Sequence, residues 1–221
     1  INHYETTYSR FPVSAQAVAA VHPTCPDFTF GTIHRFPDNT TVTLKNRKGE
    51  NLPNIVNWCS DVPNHPYQAS NAEVMGILLD LLKFRDLNAT ANVNHGKNPQ
   101  KIHFLEVKQV DSDNTEDFPR DPGMGKDGVY RDPWGNPYII TIDLNYDHKC
   151  RDGFYRQKLV SSQNGAAGYN GLYDSVQSGI PPGDFEANTP VMVWSLGPDG
   201  LADPTVPADQ GVNKDNILSW K

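Results

Sequence analysis

The sequence predicts an α+β fold in which the end of a long N-terminal helix packs on a small antiparallel sheet, with a second short helix and long loop insertions. Three observations support this. Aromatic residues at helical spacing open the chain, one amphipathic helix pattern follows after residue 70, and strand patterns predominate after residue 100. The 221 residues suit one domain, and 18 prolines with 17 glycines indicate many turns and ordered loops.

The first residues have the pattern of a helix that is already under way. Tyr4, Tyr8 and Phe11 recur at three- and four-residue spacing, and no capping residue precedes them. Pro12 then ends the pattern, because proline disfavours the helical conformation of the residue before it. We therefore interpret residues 1–20 as the tail of a longer stalk helix.

Residues 22–128 are interpreted as an enlarged region between this helix and the sheet. A helix is predicted after Ser70, whose side chain we expect to form a capping box with Glu73. Alternation over 41–46 and 101–110 predicts two strands. The helix has one apolar stripe that we expect to be buried, formed by Val74, Ile77, Leu78, Leu81 and Leu82.

The C-terminal part of the single domain, 129–221, is predicted to form the sheet. A compact turn at 133–137 leads into the most regular strand pattern, 138–146, and an apolar strand follows at 190–196. Residues 147–189 between these strands are rich in Gly and Ser. We expect them to project from the sheet as a surface insertion.

Charge and motifs argue against two classes of function. The 19 basic and 26 acidic residues give a net charge of −7, and no basic stretch carries the aromatics typical of nucleic-acid binding. The sequence has no nucleophile elbow, phosphate loop, dinucleotide-binding glycine motif or HExxH zinc motif, and its seven histidines are scattered. We assign no catalytic residue and predict that the protein is not an enzyme.

The three cysteines, Cys25, Cys59 and Cys150, lack the spacing of a zinc or thioredoxin-type site. Two interpretations remain open. Cys25 and Cys59, which lie in Pro-rich loops, form a disulfide in an oxidising compartment and leave one thiol over, or all three are separate buried thiols.

Two acidic segments differ in their suitability for a metal ion. Residues 111–117 begin like an EF-hand loop but lack its glycine and its final glutamate, so we expect a solvated loop. Asp199 instead lies in a tight turn at the end of a strand, where carbonyl oxygens are close by. Ca²⁺ prefers such oxygen ligands, although a plain Asx-rich turn is the alternative. Further candidate ligands follow in the chain: Asp203, Asp209, Asn213, Asp215 and Asn216.

Three motifs carry a resemblance to a known family. "YRDPWGNPYII" at 130–140, "VMVWSLGPDG" at 191–200 and the terminal "DNILSW" at 215–220 resemble the C-terminal sheet of the major pseudopilins of bacterial type II secretion systems, within the type IV pilin-like class. The opening residues 1–14 are similar to the end of that family's N-terminal helix. The resemblance covers these residues and 129–221.

The resemblance implies a structural subunit of a pseudopilus or pilus-like fibre. Family precursors are anchored in the bacterial inner membrane by a hydrophobic helix, cleaved and methylated by a prepilin peptidase, and assembled with other pseudopilins through that helix. The remaining domain lies in the periplasm or on an extracellular fibre. The resemblance also implies Ca²⁺ at the loop that ends the sheet, with the main-chain oxygen of Leu196 and the carboxylate of Asp199 as ligands.

A second class of function stays open. A secreted or envelope-anchored binding module, such as an adhesin, would use the segments 22–69 and 147–189, with Tyr155, Tyr169 and Tyr173 as contacts. An enzyme of unrecognised type would need a pocket of convergent titratable groups, for which the sequence gives no indication.

Overall fold

The computed structural model describes residues 1–57, 67–111, 121–164, 167–175 and 184–220. Within these ranges the chain forms four short α-helices: α1 (Asn2–Tyr8), α2 (Ala15–Ala19), α3 (Ala72–Leu78) and α4 (Lys158–Ser161). Single 3₁₀ turns occur at Val93–His95, Tyr169–Gly171 and Gly211–Asn213. None of these helices has the length and apolar character needed to cross a membrane.

Twelve short strands in the described ranges form four sheets. The main sheet has the order β1 (Asp27–Phe30), β6 (Ile139–Asp143), β11 (Val191–Ser195) and β12 (Ile217–Leu218), and all of its pairs are antiparallel. The second has the order β10 (Phe185–Glu186), β9 (Tyr173–Asp174), β8 (Ala167–Gly168) and β7 (Ser162–Asn164). Two hairpins complete the set: β2 (Ile33–Arg35) with β3 (Thr41–Thr43), and β4 (Gly123–Met124) with β5 (Tyr130–Arg131).

The predicted α+β fold is therefore wrong, because the described residues are mostly β and include no long N-terminal helix. The helical spacing of Tyr4 and Tyr8 does correspond to a helix, α1, but this helix has seven residues. It ends where Ser9 adopts a left-handed conformation with φ of 51°. The aromatic pattern continues to Phe11, which is buried outside the helix, so the spacing overstated the helix length.

Both faces of the main sheet are buried at β1 and β6. Phe28, Phe30 and Ile142 pack with the helices α1, α2 and α3 on one face. The other face contributes Ile139 and Trp194 to a second cluster that is completed by loop residues. Because burial on both faces hides the usual polar and apolar alternation, β6 is a continuous apolar run interrupted only by Thr141 before Asp143.

The segment 147–189 does not project from the sheet as predicted, because its described residues supply much of the second cluster. The buried members from this segment are Cys150, Phe154, Tyr155, Val160, Leu172, Phe185 and Ala187. Polar neighbours such as Asp152 are buried as well, with hydrogen bonds from Thr141 and Trp194. The polar composition of this segment therefore reflects a hydrogen-bonded interior rather than exposure.

Helix α3 is present, but the expected capping box is not formed. Glu73 accepts hydrogen bonds from the Ser14 N–H at 2.8 Å and the Tyr67 hydroxyl at 2.5 Å, so it ties α3 to the start of α2. The predicted strand at 101–110 is absent, since only an isolated bridge joins Gln109 to Met124. Of the acidic segment 111–117, only Asp111 lies within the described residues.

One cysteine prediction is partly tested. Cys25 is disulfide-bonded, and Cys150 is a buried free thiol. This favours the interpretation with one disulfide over the interpretation with three thiols. Cys59 lies outside the described residues.

Candidate metal centre

Two motifs that are about sixty residues apart in the sequence meet at one end of the main sheet. Asp132 lies in the turn before β6, and its Oδ1 accepts the N–H groups of Trp134 at 2.9 Å and Asn136 at 2.8 Å. Its Oδ2 accepts the hydroxyl of Ser195 at the end of β11. The Asn136 side chain donates to the carbonyl of Gly197 at 2.8 Å. Apart from Trp134 these residues are buried, and we call them the motif corner.

Gly197 brings the turn after β11 against the end of the chain. Its φ is 63°, a conformation that other residues rarely adopt, and a Cβ atom here would lie 2.4 Å from the carbonyl oxygen of Asp215. The close approach places Leu196 and Asp199, which flank the turn, beside Asp215 and Asn216. Four of the seven candidate calcium ligands, Leu196, Asp199, Asp215 and Asn216, thus lie in the two segments that meet here.

Two oxygen atoms in this group have no hydrogen-bond partner among the residues that the structure describes. They are Oδ1 of Asp215 and Oδ1 of Asn216, and both atoms are buried. The amide nitrogen of Asn216 donates to the Tyr155 hydroxyl at 3.0 Å, which leaves its oxygen directed away from that contact. Buried oxygens without a partner are costly, and a bound cation or an ordered water molecule would be a physical explanation for both.

The electrostatics of the loop are consistent with a bound cation. Burial, followed by the negative charge of Asp199, raises the pKa of Asp215, while nearby backbone N–H groups partly oppose the rise. Within the described part of the chain, Asp199 accepts a local hydrogen bond, from the N–H of Leu201 at 2.8 Å. A cation bound between the two carboxylates would remove their repulsion.

Asp203 and Asp209 have other partners. Asp203 accepts the N–H of Thr205 at 2.8 Å and its hydroxyl at 2.6 Å, and these hydrogen bonds lower the pKa of Asp203. Asp209 lies beside the Tyr169 side chain, where burial and then the negative charge of Asp209 raise the pKa of the tyrosine. Asn213, another candidate, holds the loop with its side chain, which bonds to the backbone of Asp203 in both directions.

Among the described residues, no group of three or more His, Cys, Asp or Glu side chains is arranged to hold a metal ion. The loop between β11 and β12, residues 196–216, is called the C-terminal loop. It offers two carboxylates, those of Asp199 and Asp215, with neutral oxygens from Leu196 and Asn216. All of these are hard oxygen donors, which suit Ca²⁺ better than the softer metal ions that prefer Cys and His ligands. The residues present are therefore compatible with the calcium ion that the resemblance implies.

The sequence did not predict the motif corner, although it contained both motifs. Small polar residues in two tight turns were visible in the sequence. That the two turns pack against each other depends on contacts between distant parts of the chain. The tyrosines considered for a binding surface are also placed by the structure: Tyr155 is buried, whereas Tyr169 and Tyr173 are half-buried.

Comparison with known proteins identifies no relative. The chain matches no protein-family model, no curated protein and no solved structure.

Proposed function

We propose that the protein is a non-catalytic structural subunit of a pseudopilus or pilus-like fibre, part of a bacterial secretion or type IV pilus-type machine, and that its C-terminal loop binds Ca²⁺. The observation that carries this proposal is the motif corner. The two motifs on which the resemblance rests are joined by buried hydrogen bonds from Ser195 to Asp132 and from Asn136 to Gly197. The two motifs occur together in the sequence because each supplies hydrogen-bond partners to the other.

Calcium has a structural role in this proposal. The loop after Gly197 has few apolar residues to bury; of its side chains, Ala208 belongs to the second core cluster and Ala202, which is partly buried, packs against it. When bound, Ca²⁺ supplies positive charge and accepts lone pairs from several oxygens at once. Asp199 and Asp215 would hold it, and the orphaned oxygen of Asn216 would complete part of its shell. The ion would fasten the loop where apolar contacts are few.

The proposed location is the bacterial cell envelope, with the domain in the periplasm or on an extracellular fibre. The disulfide at Cys25 supports an oxidising compartment. We propose that the precursor is anchored in the inner membrane by an apolar helix, as in the family that the motifs resemble, and assembles with other pseudopilins through that helix. The net charge of −7 makes nucleic acid an unsuitable partner.

The fibre assignment is tested with the complete reading frame expressed in its native cells. We expect filaments that can be sheared from the cells and labelled by antibodies raised against this domain. A strain without prepilin peptidase is the control, and it should accumulate an uncleaved precursor without filaments. A processed protein that is secreted as dispersed molecules in the native strain would contradict the proposal and favour a secreted binding module.

The calcium assignment is tested separately by thermal unfolding. Free Ca²⁺ at a hundred times its dissociation constant should stabilise the domain by about 2.7 kcal/mol, and chelation should reverse this. The variant Asp199→Asn should reduce the shift. Asp111→Asn is the control and should leave it unchanged, because Asp111 pairs with Arg85 on the surface. Equal calcium shifts in the wild type and Asp199→Asn would remove the C-terminal loop as a calcium site.

A further inference from the structure

A cavity of about 300 Å³ lies between the β2–β3 hairpin, the start of α3 and residues 84–93. Its volume is at the lower end of the range for small-molecule sites. The wall combines three partly exposed aromatic rings with the side chains of two buried polar residues and one glutamate. These six residues are Phe36, Tyr67, Phe84, His34, Ser70 and Glu73. Aromatic surface with a few convergent polar groups is the usual composition of a site for a small organic molecule.

Glu73 brings a carboxylate to this wall without a paired cation. Its two oxygens accept hydrogen bonds from neutral donors, the Ser14 N–H and the Tyr67 hydroxyl, and each oxygen has a further lone pair. Among the described residues it forms no ion pair, and the charge of Lys97 acts on it from a greater distance. Burial raises the pKa of Glu73, and its two hydrogen bonds partly oppose the rise. A positively charged group in the cavity would give this carboxylate the partner that it lacks.

His34 offers a second polar anchor. The residue is 4% exposed, and its Nδ1 shares a hydrogen bond of 3.0 Å with the Ser70 hydroxyl. Burial lowers the pKa of His34, so its ring is neutral near neutral pH. Its other nitrogen, Nε2, has no hydrogen-bond partner within the described ranges, although buried polar groups normally have one. Since His34 lines the cavity, a ligand there can supply that partner.

Arg35 is the basic residue of the wall, but it does not neutralise Glu73. Its guanidinium lies over the Tyr67 ring, 4.9 Å from the ring centroid. It donates to the carbonyl oxygens of Gln68 at 2.9 Å and Asn39 at 3.3 Å. These contacts fix the guanidinium at the ring face, and no ion pair joins it to Glu73 in the described part of the chain.

We propose that this cavity binds a small aromatic amine. The ammonium group donates to Glu73, and a polar substituent on the ring bonds to His34. The ring itself lies against Phe36, Tyr67 and Phe84. The carboxylate selects a cation, and the aromatic wall selects an apolar body and adds cation–π attraction to the ammonium group. The site is independent of the proposed calcium site, because none of its lining residues belongs to the C-terminal loop.

Isothermal titration calorimetry of the wild-type chain with four small molecules tests the ligand class. Phenethylamine carries an aromatic ring and an ammonium group, and tyramine adds a hydroxyl group to that ring. Phenylethanol lacks the charge, and phenylpropionate reverses it. We expect tyramine to bind about two- to tenfold more tightly than phenethylamine, which is the effect of one neutral hydrogen bond. Phenylethanol should bind about tenfold more weakly than phenethylamine or worse, because it loses a charged hydrogen bond.

Three variants locate the site. Glu73→Gln keeps the acceptor for the neighbouring N–H and removes the charge, so it should weaken the binding of phenethylamine by about tenfold. His34→Phe should abolish the preference for tyramine. Ala89→Trp places a large ring at the rim of the cavity and should block both amines, and Ala89 is exposed, so this variant should fold. Glu50→Gln is the matched control, because exposed Glu50 also accepts a neutral donor, the Asn46 amide at 2.8 Å, outside the cavity.

The outcomes separate the ligand class from the location of the site. Binding of phenylethanol or phenylpropionate as tight as that of phenethylamine would overturn the choice of an amine, and this comparison uses the wild type alone. Equal binding of phenethylamine to the wild type, Glu73→Gln and Ala89→Trp would place the amine elsewhere and overturn the site. A tyramine preference that persists in His34→Phe would overturn the contact with His34. A wild-type chain that binds neither amine at millimolar concentration would overturn the whole proposal.

Discussion

Replacing Trp194 with alanine should lower the free energy of unfolding by about 3–5 kcal/mol, which is the usual range for a buried tryptophan. Trp194 is 1% exposed in β11. Its ring is 5.5 Å from that of Phe154, with which it stacks, and 5.0 Å from that of Tyr155, which it meets edge-on. The indole N–H donates to buried Asp152 at 3.0 Å. The truncation would leave a cavity and remove one donor from a buried carboxylate.

Chemical denaturation measures this effect, and two variants divide it into its parts. Trp194→Phe keeps most of the apolar ring and loses the hydrogen bond to Asp152, so we expect a smaller loss, about 1–3 kcal/mol. Trp134→Ala is the control, because Trp134 is only half-buried in a turn. Similar losses in Trp194→Ala and Trp134→Ala would show that residues 150–155 do not form a core with β11.

The strands with the strongest patterns could be predicted from the sequence. The predicted strands at 138–146 and 190–196 correspond to β6 (Ile139–Asp143) and β11 (Val191–Ser195), because long apolar and β-branched runs specify their own conformation. The other pairings include many strands of two or three residues. Such short strands exist because of their partners, and a local pattern does not reveal them.

Composition misled the prediction for 147–189. Gly, Ser and charged residues are typical of exposed loops, yet Asp152 is fully buried with donors from four groups. These are the N–H groups of Phe154 and Tyr155, the Thr141 hydroxyl and the Trp194 indole. When polar groups find partners, a segment with few apolar residues can enter the core.

The candidate sites were partly visible in the sequence. Acidic residues in and after a Pro-Asp-Gly turn indicated a cation at Asp199 and Asp215. The hydrogen bond from Asn136 to Gly197 was not readable. It depends on the register between β6 and β11, which the sequence alone does not determine.

Asp132→Ala should destabilise the domain by at least about 3 kcal/mol and should also weaken its stabilisation by calcium. The substitution removes the acceptor of two turn N–H groups, those of Trp134 and Asn136, and of the Ser195 hydroxyl. Each donor left without a partner in the interior costs about 1–3 kcal/mol. Asn136 would no longer be held in place to donate to Gly197, so the turn that carries Asp199 would lose its fixed position relative to Asp215.

Two further variants show whether the effect of Asp132→Ala on calcium binding comes from the motif corner or from a general loss of stability. Ser195→Ala removes one hydrogen bond to Asp132 and the acceptor of the Gly197 N–H at 3.1 Å, so we expect a smaller loss, about 1–2 kcal/mol. Trp194→Phe should destabilise the domain by a comparable amount, about 1–3 kcal/mol. It should not reduce the calcium-dependent shift in melting temperature, because the hydrogen bonds from Ser195 to Asp132 and from Asn136 to Gly197 remain. If Asp132→Ala and Trp194→Phe retain the same calcium shift, the corner does not position the metal loop, and the joint occurrence of the two motifs needs another explanation.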